Sequence, residues 1–265
     1  MVVFAGQGDA RRSMELLWGP RVVAPRTGPG PKPGLSVEAI VAAAIEIADA
    51  EGMGALSMRS VGERLGRTAM ALYTYVPGKT ELVDLMYDRT LGELPSSFPV
   101  SDGWRPAALA LASSLWDLHL RHPWLLQVSP ARPALGPGEF HVQETLLSVL
   151  AATGLPLSRV RWVVAALFNV VRGSVQAAAE SRQAATETGQ SEEDWWYARS
   201  ALLGELAPDL TARFPTVARL GAEGAFEAPS DEPYLEREAR LSFEAGLELL
   251  LDGVEAAIVK ASGPR

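Results

Sequence analysis

SMRSVGERLGRTAMALYTYVPGK, residues 57–79, reads as two short helices around a tight turn, followed at once by the start of a third. Ser57 stands where its hydroxyl can accept an orphan backbone N–H of an opening helical turn. Met58, Val61 and Leu65 then fall at i, i+3 and i+7, an apolar stripe on one face. Gly66 stops that helix, because glycine takes the left-handed cap conformation without a Cβ penalty. Thr68 is placed to cap the next helix, which turns Leu72 inward and ends at Val76-Pro77-Gly78. The pattern is that of a helix-turn-helix, whose second helix is shaped to lie in a DNA major groove.

The flanks extend it. Ser36 opens a helix to about Glu51, with Ile40, Ala44, Ile47 and Ala48 on one face and Gly52 and Gly54 closing it. A fourth helix is predicted from Lys79 or Thr80 to about Leu94, where Leu82, Leu85, Met86 and Arg89 suit packing on one side and solvent on the other. Residues 35–94 therefore make a small DNA-binding domain. Residues 1–34 are expected to be a flexible N-terminal arm, since GPRVVAPRTGPGPKPGL at 19–35 is too rich in Pro and Gly to pack. Its Arg21, Arg26 and Lys32 either reach an adjacent minor groove or make no contact at all. Met14 is an alternative start, because the residues after it already read as a coherent arm.

Pro95 to Pro106 is a linker, and residues 104–260 are predicted to form a larger helical domain for effector binding and dimerisation. Helices are expected at about Trp104–Arg121, briefly after Pro123, and at Glu139–Thr153, Ser158–Thr188, Glu192–Leu206 and Tyr234–Val259. Pro130–Gly138 reads as a loop, and four prolines chop residues 207–233. The last helix is apolar around much of its circumference, with Phe243, Leu247, Leu249, Leu250, Leu251, Val254 and Ile258. Such a helix needs cover on two sides. Its own domain supplies one, and a second copy of the chain is the simplest source of the other.

Composition agrees with an all-α protein. Hydrophobic residues make up 48% and charged residues 21%, the balance of a folded domain rather than a disordered chain. There is no cysteine, which excludes disulfides, thiolate catalysis and zinc fingers, and fits a cytoplasmic setting. No unbroken apolar run approaches the ~18–20 residues of a membrane span, so no membrane partner is expected. The net charge of −8 opposes DNA binding until it is divided. Residues 1–79 hold 9 Lys and Arg against 7 Asp and Glu, and residues 80–265 hold 15 against 25. The N-terminal part is thus mildly basic, and the acid lies behind it.

Catalysis finds no foothold: there is no GxSxG and no GxxxxGK, and Glu192, Glu193 and Asp194 read as an acidic helix start that complements its dipole. No cofactor is implied. His119 and His122 share a helix face, but His122 precedes Pro123 at a helix end, where an imidazole can cap carbonyls, so metal binding is not expected. The two histidines and Trp116 are candidates to line an effector pocket. Asn169, Arg172 and Gln176, at i, i+3 and i+7, form a polar stripe that must meet a ligand, a partner chain or water.

The stretch 34–86, GLSVEAIVAAAIEIADAEGMGALSMRSVGERLGRTAMALYTYVPGKTELVDLM, resembles the N-terminal domain of the Tet repressor family of bacterial transcriptional regulators. The LS-R-VGERLG helix, the ALYTYV that ends the recognition helix and the lysine of PGKTEL carry that likeness, and the tail FEAGLELLLDGVEAAI is similar to the family's last helix. The resemblance implies a homodimeric repressor on a palindromic operator, released by a small molecule. It also places Arg59, Arg67, Thr68, Ala69, Met70, Tyr73, Thr74, Tyr75 and Lys79 at DNA-contacting positions, with Tyr73, Tyr75 and Lys79 toward phosphates. Ala69, Met70 and Ala71 offer few hydrogen bonds, so base readout would lean on thymine methyls, DNA shape and Arg59 or Arg67. The alternative is a small-molecule-binding helical protein whose DNA-binding head does not function.

Overall fold

In chain order the structure, a computed structural model, runs β1 (Val3–Phe4), α1 (Ala10–Trp18), α2 (Val37–Glu51), α3 (Met58–Leu65), α4 (Ala69–Leu72), α5 (Lys79–Leu91) and α6 (Trp104–Arg121). A 3₁₀ turn (Pro123–Gln127) and β2 (Val128–Ser129) come next, then α7 (Pro137–Ala151), α8 (Leu157–Thr188), α9 (Glu192–Leu206), α10 (Leu210–Arg213), α11 (Pro215–Ala222) and α12 (Tyr234–Ser262). Residues 3–19, 35–224 and 233–262 are described. Among them the fold is all-α except for the β1–β2 pair, as expected: an N-terminal helix-turn-helix body followed by longer helices. By internal contacts the chain divides into two compact units, residues 1–172 with 250–265, and residues 173–249.

In the first unit the predicted caps decide the helix starts. The Ser36 hydroxyl accepts the Ala39 N–H at 3.2 Å. Ser57 accepts the Ser60 N–H at 3.0 Å, while the Ser60 hydroxyl takes the Ser57 N–H, a reciprocal cap. Gly66 ends α3 in the left-handed conformation, φ 65°. Thr68 departs from expectation: it precedes α4 but makes no side-chain cap. The helix-turn-helix body is closed by Ile40, Val61, Leu72, Val76 and Leu82, all fully buried.

Two expectations about this unit fail. Helix α5 does not have a solvent side: ten of its thirteen residues are buried, Glu81, Asp84 and Asp88 among them. Helices α2 and α7 cover two of its faces, and residues 3–18, expected to be the front of a flexible arm, cover another. Strand β1 pairs in parallel with β2, Val3 against Val128 and Phe4 against Ser129. Helix α1, capped by Asp9, packs along α5 with Ser13 and Leu17 buried. Met14 lies inside that helix. Arg21, Arg26 and Lys32 fall outside the described residues.

Behind the head, α6, α7 and the 3₁₀ turn enclose Leu115, Leu118, Trp124, Leu125 and Leu150. In the second unit, α9, α10 and α11 bury none of their residues. They leave Trp195, Trp196, Leu202, Leu203, Phe214 and Val217 open to solvent. Arg182 on α8 makes a two-pronged ion pair with Glu236 on α12. By length and mean hydropathy α8 could cross a bilayer. Leu167, Val171 and Val175 form its fully buried row and Arg161 and Arg172 stand among its apolar residues, while 28% of its most apolar window is buried.

Candidate DNA-reading head and effector cleft

The head presents its predicted residues outward. Arg59, Arg67, Thr68, Met70, Tyr73, Thr74, Tyr75 and Lys79 are exposed, Met70 at 76%, while Ala69 is partly covered and Leu72 beneath them is fully buried. Gly62, missed in the sequence, makes this possible: a Cβ there would lie 2.8 Å from the Arg67 carbonyl and 3.2 Å from the Ala69 nitrogen. Only glycine lets α3 and the start of α4 approach this closely. Arg59 is held by Glu63 at 2.8 Å, an i,i+4 pair in full solvent that DNA phosphates can outcompete. Arg64 pairs with Glu46 and Glu51 on the scaffold side. Lys79, the first residue of α5, reaches the Met53 carbonyl at 3.4 Å and keeps two donors for an anion at the helix N-terminus.

A cleft of about 500 Å³ opens farther along α5, within the range of drug-sized ligand sites. Tyr87 and Leu91 from α5, the 130–135 loop, Phe140, Val142 and Leu146 from α7, and Val164, Ala165 and Phe168 from α8 form its largely apolar wall. Glu139, Gln143 and Arg161 add the polar groups. Burial pushes the Tyr87 hydroxyl up to about 12, with the Glu139 charge adding to the effect, so it stays a neutral donor. Burial also raises the Glu139 carboxyl above its ordinary range, against the opposing hydrogen bond from Leu135.

None of the six residues expected at an effector site lines this cleft. On α8 the lining positions are 161, 164, 165 and 168, about one turn before the Asn169–Arg172–Gln176 stripe. Arg172 gives its guanidinium to the Leu125, Leu126 and Val128 carbonyls at 3.3, 2.6 and 3.0 Å, tying α8 to the 3₁₀ turn. Asn169 and Gln176 are exposed, and Gln176 bonds Glu180. His122 has Asp49 2.8 Å from Nδ1 and Glu93 3.3 Å from Nε2, and the Trp124 indole also donates to Asp49 at 2.8 Å. His122 and Trp124 thus join the 3₁₀ turn to α2 in the head. Trp116 is buried in the core. His119 comes nearest the cleft, its ring edge-on to Phe168 with centroids 6.4 Å apart. Its Nδ1 faces the Leu115 carbonyl at 2.7 Å, which can only accept, so the proton sits there. Among the described residues no His, Asp or Glu cluster is arranged to hold a metal.

Three carboxylates on α5, missed in the sequence, organise the region. Glu81 accepts the Asp9 N–H at 3.2 Å, and Asp84 accepts the Gly6 N–H at 2.8 Å and the Ser13 hydroxyl at 3.3 Å. Asp88 accepts the Glu139 N–H at 3.0 Å, in the first turn of α7. A Cβ on Gly138 would overlap the Asp88 carbonyl, so α5 and α7 touch backbone to backbone.

Comparison with known proteins decides what this arrangement belongs to. Residues 40–86 match the family model of bacterial regulatory proteins, tetR family, and residues 98–258 that of the tetracyclin repressor-like C-terminal domain. The chain belongs to the TetR family. It is a DNA-binding, ligand-responsive transcriptional repressor, and its family is one of regulators rather than enzymes. This TetR-family chain is 36% identical to the HTH-type transcriptional repressor DrrR1 of Streptomyces coeruleorubidus, over 98% of its own length and 90% of the relative's. It is 37% identical to an HTH-type transcriptional regulator of Saccharopolyspora erythraea, over 55% of its length and 62% of that protein's. In structure it is similar to ActR of Streptomyces coelicolor in complex with actinorhodin, with a TM-score of 0.67 and 26% identity over 85% of this chain and 99% of ActR.

Proposed function

We propose that this TetR-family repressor binds a palindromic operator as a homodimer in the cytoplasm and is released by a flat, largely apolar molecule seated in the α5–α7–α8 cleft. One observation carries the reading: α5 belongs to both sites. Its first residue is Lys79, and Tyr87 and Leu91 on the same helix stand in the cleft wall. Eight residues of helix span about 12 Å, so a ligand pressing on Tyr87 acts on Lys79 through one rigid rod. Arg59, Arg67, Thr68, Ala69, Met70, Tyr73, Thr74, Tyr75 and Lys79 would face the DNA, with half-site centres about 34–36 Å apart or a multiple of that.

The homodimer reading draws support from surfaces that a single chain leaves open. Leu249 and Val259 on α12 are more than 70% exposed, and a Cβ on Gly173 or Gly253 would meet nothing within 4 Å. The bare apolar side chains of α9–α11 point the same way. Light scattering on the purified protein should give twice the 28.3 kDa chain mass. A monomer at micromolar concentration contradicts the dimer.

For operator binding, anisotropy with a duplex from upstream of the gene is the direct test. Lys79→Ala should weaken all sequences about equally and lower the salt slope by about 1. An effect confined to one base position would contradict the phosphate contact. Actinorhodin, the ligand in the ActR complex, is the first probe for release.

A further inference from the structure

Leu135 is the one non-glycine residue with a positive φ among the described residues, at 58°, and it stands on the rim of the cleft. Side chains resist this left-handed region, and residues held in it concentrate where a structure switches. Two groups hold Leu135 there. Glu139, itself in the cleft wall, accepts the Leu135 N–H at 2.7 Å. Trp18 donates its indole N–H to the Leu135 carbonyl at 2.8 Å, with its ring 6.0 Å from Phe140. Trp18 ends α1, and α1 with β1 forms a strap fixed to α5 through Glu81 and Asp84. Hydrogen bonds therefore run from a cleft carboxylate, through one strained peptide, to the helix that carries Lys79.

We propose that this line is a ligand-operated latch, resting on the reading of the cleft as the effector site. A ligand bringing a hydroxyl or ammonium donor to Glu139 draws the carboxylate away from the Leu135 amide. Leu135 then leaves the left-handed region and its carbonyl turns from Trp18. The strap loosens on α5, and α5 is free to shift Lys79 away from DNA. The effector class is thereby narrowed to an apolar ring system bearing a hydrogen-bond donor. The elevated Glu139 carboxyl agrees, since a half-buried charge beside Asp84 and Asp88 gains from a donor or a cation.

The test needs no ligand to begin. Leu135→Val places a β-branched residue at positive φ, which mimics the released state, whereas Leu135→Gly holds that conformation without cost. Amide exchange in the intact protein should be at least about fivefold faster at Gly6 and Asp9 in Leu135→Val, with weaker operator binding, and unchanged there in Leu135→Gly. Trp18→Phe keeps the ring and removes one hydrogen bond, for an expected acceleration of about 2- to 12-fold. Strap amides as slow in Leu135→Val and Trp18→Phe as in wild type would overturn the latch. So would equal exchange in Leu135→Val and Leu135→Gly. If actinorhodin releases wild type from DNA while the strap amides stay protected, the latch fails and the effector reading stands.

Discussion

The reading head and the α5–α7–α8 cleft proposed for the effector share α5, yet they are assembled in opposite ways. The head is almost wholly local: residues 57–79 supply the caps, the turn, the buried Leu72 and the exposed row above it. The cleft draws its wall from α5, the 130–135 loop, α7 and α8, so no single stretch of chain encodes it. On the proposed reading, the contrast is that of a locally specified site coupled to one specified only by packing. Changes that separate the two sites are the most instructive.

The largest effects are expected at two glycines that allow close backbone approach. Gly62→Ala forces α3 from the α4 turn, and Gly138→Ala forces α7 from Asp88. Overpacking of this kind costs about 1–3 kcal/mol, and Gly138, whose Cβ would overlap the Asp88 carbonyl more closely than that of Gly62 meets the Arg67 carbonyl, belongs at the upper end. Gly62→Ala should lower operator affinity at least about tenfold and leave ligand binding in the cleft intact, while Gly138→Ala should lower the unfolding temperature and blunt release. If both variants lose both properties equally, the sites are not separable in the way the contrast requires.

A second effect belongs to the cleft side alone. Burial, reinforced by Arg172 and His122, lowers His119 to about 4 despite its bond to Leu115. The unfolded chain takes up this proton near 6.5, which the folded protein refuses until about 4. The unfolded state therefore binds more protons between those values, and stability falls as pH drops through that window, by about 3 kcal/mol in all. Urea unfolding of wild type and His119→Gln from pH 7 to 4 should show a shallower decline in the variant. Identical slopes would mean that His119 does not carry the acid sensitivity.

Legibility in the sequence divides along the same line. Ser36, Ser57, Gly66 and the Met58–Val61–Leu65 stripe are readable because a cap or a helix face is encoded within a few residues. The N-terminal strap is not, although Asp9 three residues before Arg12 is a cap signal. It is held through its own backbone N–H groups, of Gly6 and Asp9, a kind of donor present in nearly every residue, and β1 finds β2 across more than a hundred residues. The hint lies on the other side, in Glu81, Asp84 and Asp88 at i, i+3 and i+7 amid apolar neighbours, acids that burial alone would forbid. His122, Arg172 and Asn169 stand out in the sequence as chemically demanding. For the first two, Asp49, Glu93 and main-chain carbonyls supply partners within the chain.

The smallest expected effect is also the most specific to the head. Met70 is its most exposed apolar side chain, and Ala69 beside it is short, so on the proposed reading the recognition helix would reach into the groove mainly through one thioether chain. A methionine makes no directional hydrogen bond, but it can pack against a thymine methyl. Met70→Ala should cost about 1 kcal/mol or less on the best operator and little on a variant with that thymine replaced by cytosine, while the salt slope stays as in wild type. Met70→Arg should instead favour guanine at the same step, because its fork can pair with the guanine O6 and N7. Competition binding on single-base operator variants reads both outcomes. A Met70→Ala loss spread evenly over all variants would place this side chain against the backbone, and base readout would then rest on Arg59 and Arg67.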